Sequence, residues 1–465
     1  MQLKNTIQAK LDAYLKIEGI TINQFAGISG VNSGTLSSII NGNRPVAVKQ
    51  LDRITTGMGL PEGELYELYI DEYVVRSTPD WRRMGPFLQR CAELDKLECI
   101  RQVVRTIMDN ISYAQAVFEM GEEWFAQGKR QAAALLYEGV AESEKYQHSE
   151  RLALCQYRLF KIALGKDQEA NLRAAMHFEY FVERLDEVDQ LNALKDLANI
   201  YASLHRWNNV DVIAEAMGRK ASIQYQNRYH KVSRRAVSKE TGRPLCFYIL
   251  YSHLLRSAVC AERGDYGQAL QYVSRYSDFS WVQERTEEAR QIMEQFGEWA
   301  GANTYLYRLM SGETAVLADY VEFISTREGE IITGLTKIIQ AANRFGLNVD
   351  PIIECFESRV EFKEQRTRMG KRNVQVTEDQ SAVLLYELSV YYLKTQRVHR
   401  GLVYLFQNLD LSVRMNSDSG IVGCVALFEQ YRHLSSVEDQ ERYKILIGEV
   451  QKSNEKKIGS AAGNR

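Results

Sequence analysis

The stretch that decides the fold runs from Ile20 to Pro45, ITINQFAGISGVNSGTLSSIINGNRP. Thr21 reads as the N-cap of a short helix with Phe25 and Ala26 inward, because a Thr hydroxyl satisfies the free backbone N–H groups at a helix start. Gly30-Val31-Asn32 reads as a tight turn. Ser33 then caps a second helix, with Leu36, Ile39 and Ile40 on its buried side and Thr35, Ser37, Ser38 and Asn41 facing out. Gly42-Asn43 stops it. Two short helices joined by a Gly-containing turn form a helix-turn-helix; the small Ala26 allows the close crossing and Gly30 the turn geometry.

The flanks extend the pattern. Leu3, Ile7, Leu11 and Leu15 recur every four residues, which predicts an amphipathic helix ended by Gly19. Val48, Leu51, Ile54 and Met58 predict another after the motif, and a fifth helix is expected to begin near Pro61-Glu62. Residues 1–60 hold six bases (Lys4, Lys10, Lys16, Arg44, Lys49, Arg53) against three acids (Asp12, Glu18, Asp52), a balance of +3. Pro61 to Tyr73 then carries five acids and no base. The chain's formal charge of -2 is therefore an average over unlike parts and does not exclude a nucleic-acid partner.

The run from Ile20 to Pro45 resembles, without a gap, the XRE (Cro/repressor-like) DNA-binding family: Phe25-Ala26 stands where the family has Leu-Ala, and Gly30-Val31 and Asn41-Gly42 fall at its two Gly landmarks. The resemblance makes Ser33–Asn41 the recognition helix in the major groove of a double-stranded DNA operator. By position, it makes Asn32, Ser33, Thr35 and Ser38 contacts to base edges or nearby phosphates, and Asn41, Asn43 and Arg44 contacts to backbone phosphates. Two departures stand out. Ile22 replaces a frequent phosphate-binding Gln, for which Gln24 is the nearest substitute, and Gly34 lies where a base-reading side chain often sits. Specificity per half-site is then modest and calls for a dimer. The outward Ser and Thr residues also fit the solvated face of a small helix.

The rest of the 465-residue chain reads as all-α. Six Pro residues are far below the usual ~5 %, which favours long helices with short connections. From Pro79 onward, segments align on the tetratricopeptide template of about 34 residues. The best unit is FEMGEEWFAQGKRQAAALLYEGVAES (Phe118 to Ser143), with Gly121, Trp124, Gly128, Ala133, Tyr137 and Val140 at the template offsets. LKDLANIYASLHRWNNVDVIAEAM (Leu194 to Met217) follows with Ala198, Tyr201, Trp207, Val210 and Ala214, and LLRSAVCAERGDYGQALQYVSRY (Leu254 to Tyr276) with Ser257, Cys260, Gly264, Tyr266, Ala269 and Val273. YELSVYYLKTQRVHRGLVYLFQNL (Tyr386 to Leu409) fits more loosely through Ser389, Tyr392 and Leu405, and segments near Tyr157 and Tyr305 look like degenerate units. No such repeat buries its apolar face alone, so the expectation is a TPR-like α-solenoid. The expected organisation is a helix-turn-helix domain over residues 1–72, linker helices over 73–100 with Thr78-Pro79 as a helix start, the array over 101–452, and a flexible tail over 453–465.

Lys195 and Asn199 lie four apart on the first helix of the second unit, so an ammonium and an amide share one face. They resemble the Lys-x-x-x-Asn part of the carboxylate clamp in peptide-binding TPR domains; an ordinary surface Lys and a helix-packing Asn give the same pattern. Arg158 and Asn303 are further candidates for a groove that holds an extended peptide. Tyr201, Tyr251 and Tyr305 could form apolar pockets, although aromatics at this spacing more often belong to a core. The basic runs Arg228 to Arg243 and Arg366 to Arg372 could add phosphate contacts, although such runs are more often solvated helix faces or loops. Seven scattered Cys without a C-x-x-C pair indicate reduced thiols in a cytoplasmic protein, and seven His without H-E-x-x-H give no metal site. No cofactor is expected, no catalytic motif indicates an enzyme, no apolar h-region suggests a signal peptide, and no run of about 18 apolar residues suggests a membrane span.

The two parts in this order resemble the RRNPP peptide-sensing regulators of Gram-positive bacteria and their phages. The resemblance implies a cytoplasmic homodimeric transcription regulator whose operator binding is controlled by a short signalling peptide in the TPR groove. Two other readings stay open: a TPR adaptor that binds and inhibits a partner protein, and a phage-type repressor with no peptide ligand.

Overall fold

The computed structural model describes residues 6–76, 80–165, 167–229, 242–327, 330–357, 370–415 and 417–462. Among these residues there are 23 α-helices, short 3-10 turns, one π-helical stretch and no strand. The chain forms two compact units, Met1–Tyr248 and Ile249–Arg465.

The first unit opens with α1 (Ile7–Glu18), α2 (Ile22–Ser29), α3 (Ser33–Ile40) and α4 (Val48–Gly57). Local chemistry sets their ends. Gly19 and Gly30 take left-handed conformations that close α1 and α2. Thr21 and Gln24 form a reciprocal capping box at the start of α2. The cap of α3 is Asn32 and not the expected Ser33: its Oδ1 accepts from the Gly34 N–H at 2.9 Å, and Ser33 is the first helical residue. The fifth helix, α5 (Tyr66–Ile70), starts later than the expected Pro61-Glu62, because Gly63 sits at φ 77° and holds the chain in a turn. It passes into a π-helical stretch, Asp71–Val75.

Residues 80–107 are not a tether. They form α6 (Trp81–Glu93) and α7 (Leu97–Ile107), capped at Asp80; Thr78-Pro79, the expected start, lies outside the described residues. Phe87 and Leu88 of α6 and Ile100 and Val103 of α7 share one continuous core with Leu11, Phe25, Leu36, Leu51, Tyr66 and Tyr69 on one side and Trp124, Leu136 and Tyr137 on the other. Burial of large aromatics on both sides of α6 ties the N-terminal helices to the next helix pair.

Three helix pairs come next: α8 (Ala114–Ala126) with α9 (Arg130–Ser143), α10 (Glu150–Ala163) with α11 (Gln168–Glu179), and α12 (Glu187–Ser203) with α13 (Trp207–Tyr229). The helix α14 (Leu245–Glu262) contains the unit boundary. The second unit continues with α15 (Tyr266–Ser277), α16 (Glu287–Met310), α17 (Leu317–Ser325), α18 (Ile331–Phe345), α19 (Asp350–Glu357), α20 (Gly370–Lys394), α21 (Val398–Arg414), α22 (Asp418–Tyr431) and α23 (Val437–Ala462). Its core includes one cluster around Tyr320, Ile338, Ile339 and Tyr391 and another around Leu405, Phe406, Phe428 and Tyr443. The helix α23 carries into the tail expected to be flexible, whose SNEKKIGSAA segment contains the helix-favouring residues Glu, Lys and Ala.

Five hairpins share one turn. Asp95, Gly128, His205, Gly264 and Gln396 all have positive φ, from 54° to 80°. In each case the next residue donates its N–H to the carbonyl five positions back, Lys96 to Cys91, Lys129 to Trp124, Arg206 to Tyr201, Asp265 to Cys260 and Arg397 to Tyr392, at 2.8 to 2.9 Å. The following helix starts one residue later in all five. This is the Schellman closure of a helix C-terminus, used here as a fixed hinge between paired helices. Gly401 marks the close approach within the last of these pairs, since a Cβ there would lie 2.7 Å from Leu393 Cγ.

Candidate functional site

Two surfaces gather the residues singled out by the sequence. The first is the outer side of α3. Leu36 and Ile39 are buried beneath it, while Asn32, Asn41, Asn43 and Arg44 are exposed or nearly so and Ser33, Thr35 and Ser38 half-buried. Several polar groups are already used within the helix. Ser38 Oγ donates to the Gly34 carbonyl at 2.9 Å, and Asn41 Nδ2 donates to Ser37 Oγ at 3.4 Å. The oxygen of Asn32 holds the cap of α3, and Gln24 Oε1 accepts from the Thr21 N–H at 2.8 Å. These bonds compete with the paired donor–acceptor contact by which Asn or Gln reads adenine. What each offers is a fixed –NH2 donor, suited to a phosphate or to an acceptor on a base edge. Arg44 and Lys49 are exposed, while Arg53 turns back to donate to the Gly30 carbonyl at 3.2 Å and braces the turn.

The second surface runs across α8, α10 and α12. Arg158 on α10 pairs with both carboxylate oxygens of Glu122 on α8, each at 2.8 Å, and Tyr137 Oη donates to the same carboxylate at 2.6 Å. Burial opposes ionisation of Glu122, but Arg158 and Tyr137 together hold its carboxyl below the usual range. The guanidinium also lies over the Phe125 and Tyr157 rings, at 5.4 and 5.7 Å. Directly beside Arg158 in sequence, Tyr157 Oη donates to Asp196 Oδ2 on α12 at 2.7 Å, and Lys195 Nζ lies 3.0 Å from Asp196 Oδ1. Lys161 Nζ reaches the same carboxylate at 4.0 Å. Two ammonium groups and a phenol therefore converge on one carboxylate, next to the exposed Asn199.

The candidate peptide ligands thus differ in standing. Lys195 and Asn199 share the face as expected, with Lys195 half-buried and Asn199 exposed. Arg158 lies on the same surface, with its guanidinium paired to Glu122. Asn303 belongs to α16 in the second unit, and its Nδ2 donates to Tyr276 Oη at 2.9 Å, which ties α16 to α15. Tyr201 is buried, with Oη donating to Glu179 at 2.5 Å, and Tyr305 packs on Tyr320 and Phe323. Both belong to cores rather than pockets; Tyr251 is half-buried on α14.

The sequence reading missed Glu122, Lys161 and Asp196. One signal was present: Glu122 and Asn199 each directly follow the small residue of a repeat, Gly121 and Ala198, and so occupy the same face. The basic run Arg228 to Arg243 falls mostly outside the described residues, though Arg243 lies 4.6 Å over the Phe247 ring; residues 366–369 of the second run are also outside them. All seven Cys are free thiols. Among the described residues no cluster of His, Cys, Asp or Glu could hold a metal ion, and no helix is long and apolar enough to cross a membrane. Compared with known proteins, the chain matches no protein-family model and no curated protein.

Proposed function

We propose that the chain is a DNA-binding transcription regulator, with an XRE-like helix-turn-helix at α2–α3 and a TPR-like array of helix pairs whose α8–α10–α12 face takes a short signalling peptide. In this reading it acts in the cytoplasm as a homodimer, because a single α3 with Gly34 near its start offers few base-reading groups. The observation that carries the proposal is the acid-free edge of α3, with Asn32, Asn43 and Arg44 exposed and Thr35 half-buried over a buried Leu36–Ile39 stripe. The shared left-handed turn at five hairpins supports the repeat reading.

Contiguity within the first unit offers a route for regulation. Lys195 and Asp196 connect through Tyr157 and Arg158 to Glu122 on α8. On the same helix, Trp124 Nε1 donates to Gln89 Oε1 on α6 at 2.8 Å, and the adjacent Arg90 holds Asp52 on α4. A ligand that favours one arrangement of α10 and α12 therefore biases the placement of α3, by no more than its differential affinity for the two arrangements.

The test is selection of bound duplexes from a random DNA library by the full chain, followed by the same assay with short peptides added. Enrichment of a two-fold symmetric site, lost in Arg44→Ala with Thr35→Ala, is the expected result; no enrichment over non-specific binding at physiological salt overturns the DNA reading. A second reading, a repressor without a peptide ligand, is favoured by one specific observation: Arg158 and Asn303 already have internal partners. It predicts an operator affinity that no peptide changes.

A further inference from the structure

A groove of about 1040 Å³ lies between α7, α9, α10 and α11, within the first unit. Neither surface described above uses it. On α10, Gln156, Leu159 and Ala163 line the groove. Arg158 and Lys161 come two residues after Gln156 and Leu159, about 200° further around the helix, and so belong to the opposite face. The floor is apolar, with Val104 of α7, Leu135 of α9, Leu159 of α10 and Phe178 of α11. It is continuous across the first two helices because Gly139 has no side chain to hold α9 away from Val104. The volume sits at the top of the range for small-ligand sites, which are mostly apolar with a few polar groups that fix orientation.

Three observations select the occupant. The walls are helices, whose backbone N–H and C=O groups are mostly bonded internally, so an extended peptide would bury its own amides without partners. The rim carries Arg101, Arg105 and Lys145 against Asp109, Glu138 and Glu142, all exposed, so no net field favours an ion of either sign. At the α10–α11 edge, His177 Nε2 donates to Gln156 Oε1 at 3.2 Å. That leaves Gln156 Nε2 to donate and, in the neutral ring, His177 Nδ1 to accept. We propose that the groove binds an acyl chain with an uncharged, hydrogen-bonding head such as a primary amide. The chain lies on Val104, Leu135, Leu159 and Phe178, and the head meets Gln156 and His177. The site stands without the function proposed above; only an effect of the ligand on operator binding rests on it.

The experiment titrates the full chain with the uncharged dye N-phenyl-1-naphthylamine, then displaces the dye with decanamide, decanoate or decylamine. The expected result is one saturable dye site, emptied by decanamide at about a fifth of the concentration that either charged chain needs. Gln156→Leu should weaken decanamide about fivefold and leave the dye unchanged; an unchanged decanamide affinity overturns the placement of the head. Ala163→Trp and Ala174→Trp fill the groove from α10 and α11, and each should abolish dye binding without loss of helicity. Lys195→Ala, on the α8–α10–α12 face, should change nothing. A diazirine analogue of decanamide, irradiated with the unaltered chain, should label α7, α9, α10 or α11, a result that does not depend on how the Trp variants fold. Labelling elsewhere, or equal or tighter binding of a charged chain, overturns the proposal. Absence of a saturable site also overturns it and leaves the groove to an amphipathic helix of a partner protein. Duplex binding with and without decanamide is measured separately, and no change there leaves the site standing.

Discussion

Arg90 Nε lies 3.0 Å from Asp52 Oδ2, joining α6 to α4, and the Tyr66 hydroxyl donates to the other oxygen of the same carboxylate at 2.7 Å. The pair is mostly sheltered, with 28 % and 21 % of the two side chains exposed. Removing Arg90 leaves Asp52 with the phenol as its remaining anchor. Arg90→Ala should therefore cost about 1–2 kcal/mol in urea unfolding, between the values for surface and buried pairs. Asp52→Asn with Arg90→Ala should cost less than the sum of the two single changes, and full additivity would show that the two residues act independently.

The recurring turn makes a prediction of opposite sign at equivalent positions. His205 and Gln396 hold the left-handed conformation that Gly128 and Gly264 adopt in the matching turns. A non-Gly residue pays a steric cost there that outweighs the extra chain entropy of Gly. His205→Gly and Gln396→Gly should each stabilise the fold by roughly 0.5–1 kcal/mol, and Gly128→Ala should destabilise it by a similar amount. Shifts in thermal midpoint measure all three.

His253 on α14 stacks against Tyr272, its Nδ1 has no partner, and burial, with Arg275 and Arg256 nearby, lowers its pKa to about 4. Its folded value lies below the unfolded one, so the unfolded chain binds the extra proton first as pH falls. The stabilisation from the neutral ring is complete above about pH 6.5 and declines toward pH 4. His253→Phe keeps an aromatic ring against Tyr272 and should flatten the stability profile across that window. An unchanged slope in pH-dependent unfolding would assign the effect elsewhere.

Glu122 supplies a second pH-dependent contribution. Burial opposes its charge, but Arg158 and Tyr137 bring its pKa below the ordinary value, so its stabilisation is present above the unfolded pKa and is lost as pH falls through the folded one. Glu122→Gln should weaken the acid dependence and lower the midpoint at neutral pH. Arg158→Met should lower that midpoint too. Lys195→Ala with Asn199→Ala should leave it nearly unchanged while weakening any peptide that binds this face.

Arg44 tests the proposed DNA interface by electrostatics. If it contacts a phosphate, Arg44→Ala weakens binding to all sequences alike and reduces the salt slope by about one ion per module. Thr35→Ala should instead change sequence preference with little change in salt slope. A reversed pattern in anisotropy titrations would exchange the two roles.

Most helix existence was legible from periodicity and punctuation, because Gly19, Thr21, Gly30 and Gly42 act on backbone groups within a turn of themselves. The same short range misplaced the α3 cap by one residue, since Asn32 and Ser33 are both good caps and the Gly34 N–H lies within reach of Asn32. Of the candidate residues, Asn32, Asn41, Asn43, Arg44 and Asn199 are exposed, whereas the internal pairings of Arg158 and Asn303 left no trace in the sequence.

By itself, then, the sequence determined the helical periodicity, the ends of α1 and α2 and the basic N-terminal module, all consequences of interactions a few residues apart. Tertiary structure alone decided that residues 80–107 belong to a shared core, that Arg158 finds Glu122 36 positions away, and that Asn303 holds Tyr276. Partners so distant in sequence leave no periodic trace, because their pairing depends on how helices stack and on the cost of leaving a buried polar group without a partner.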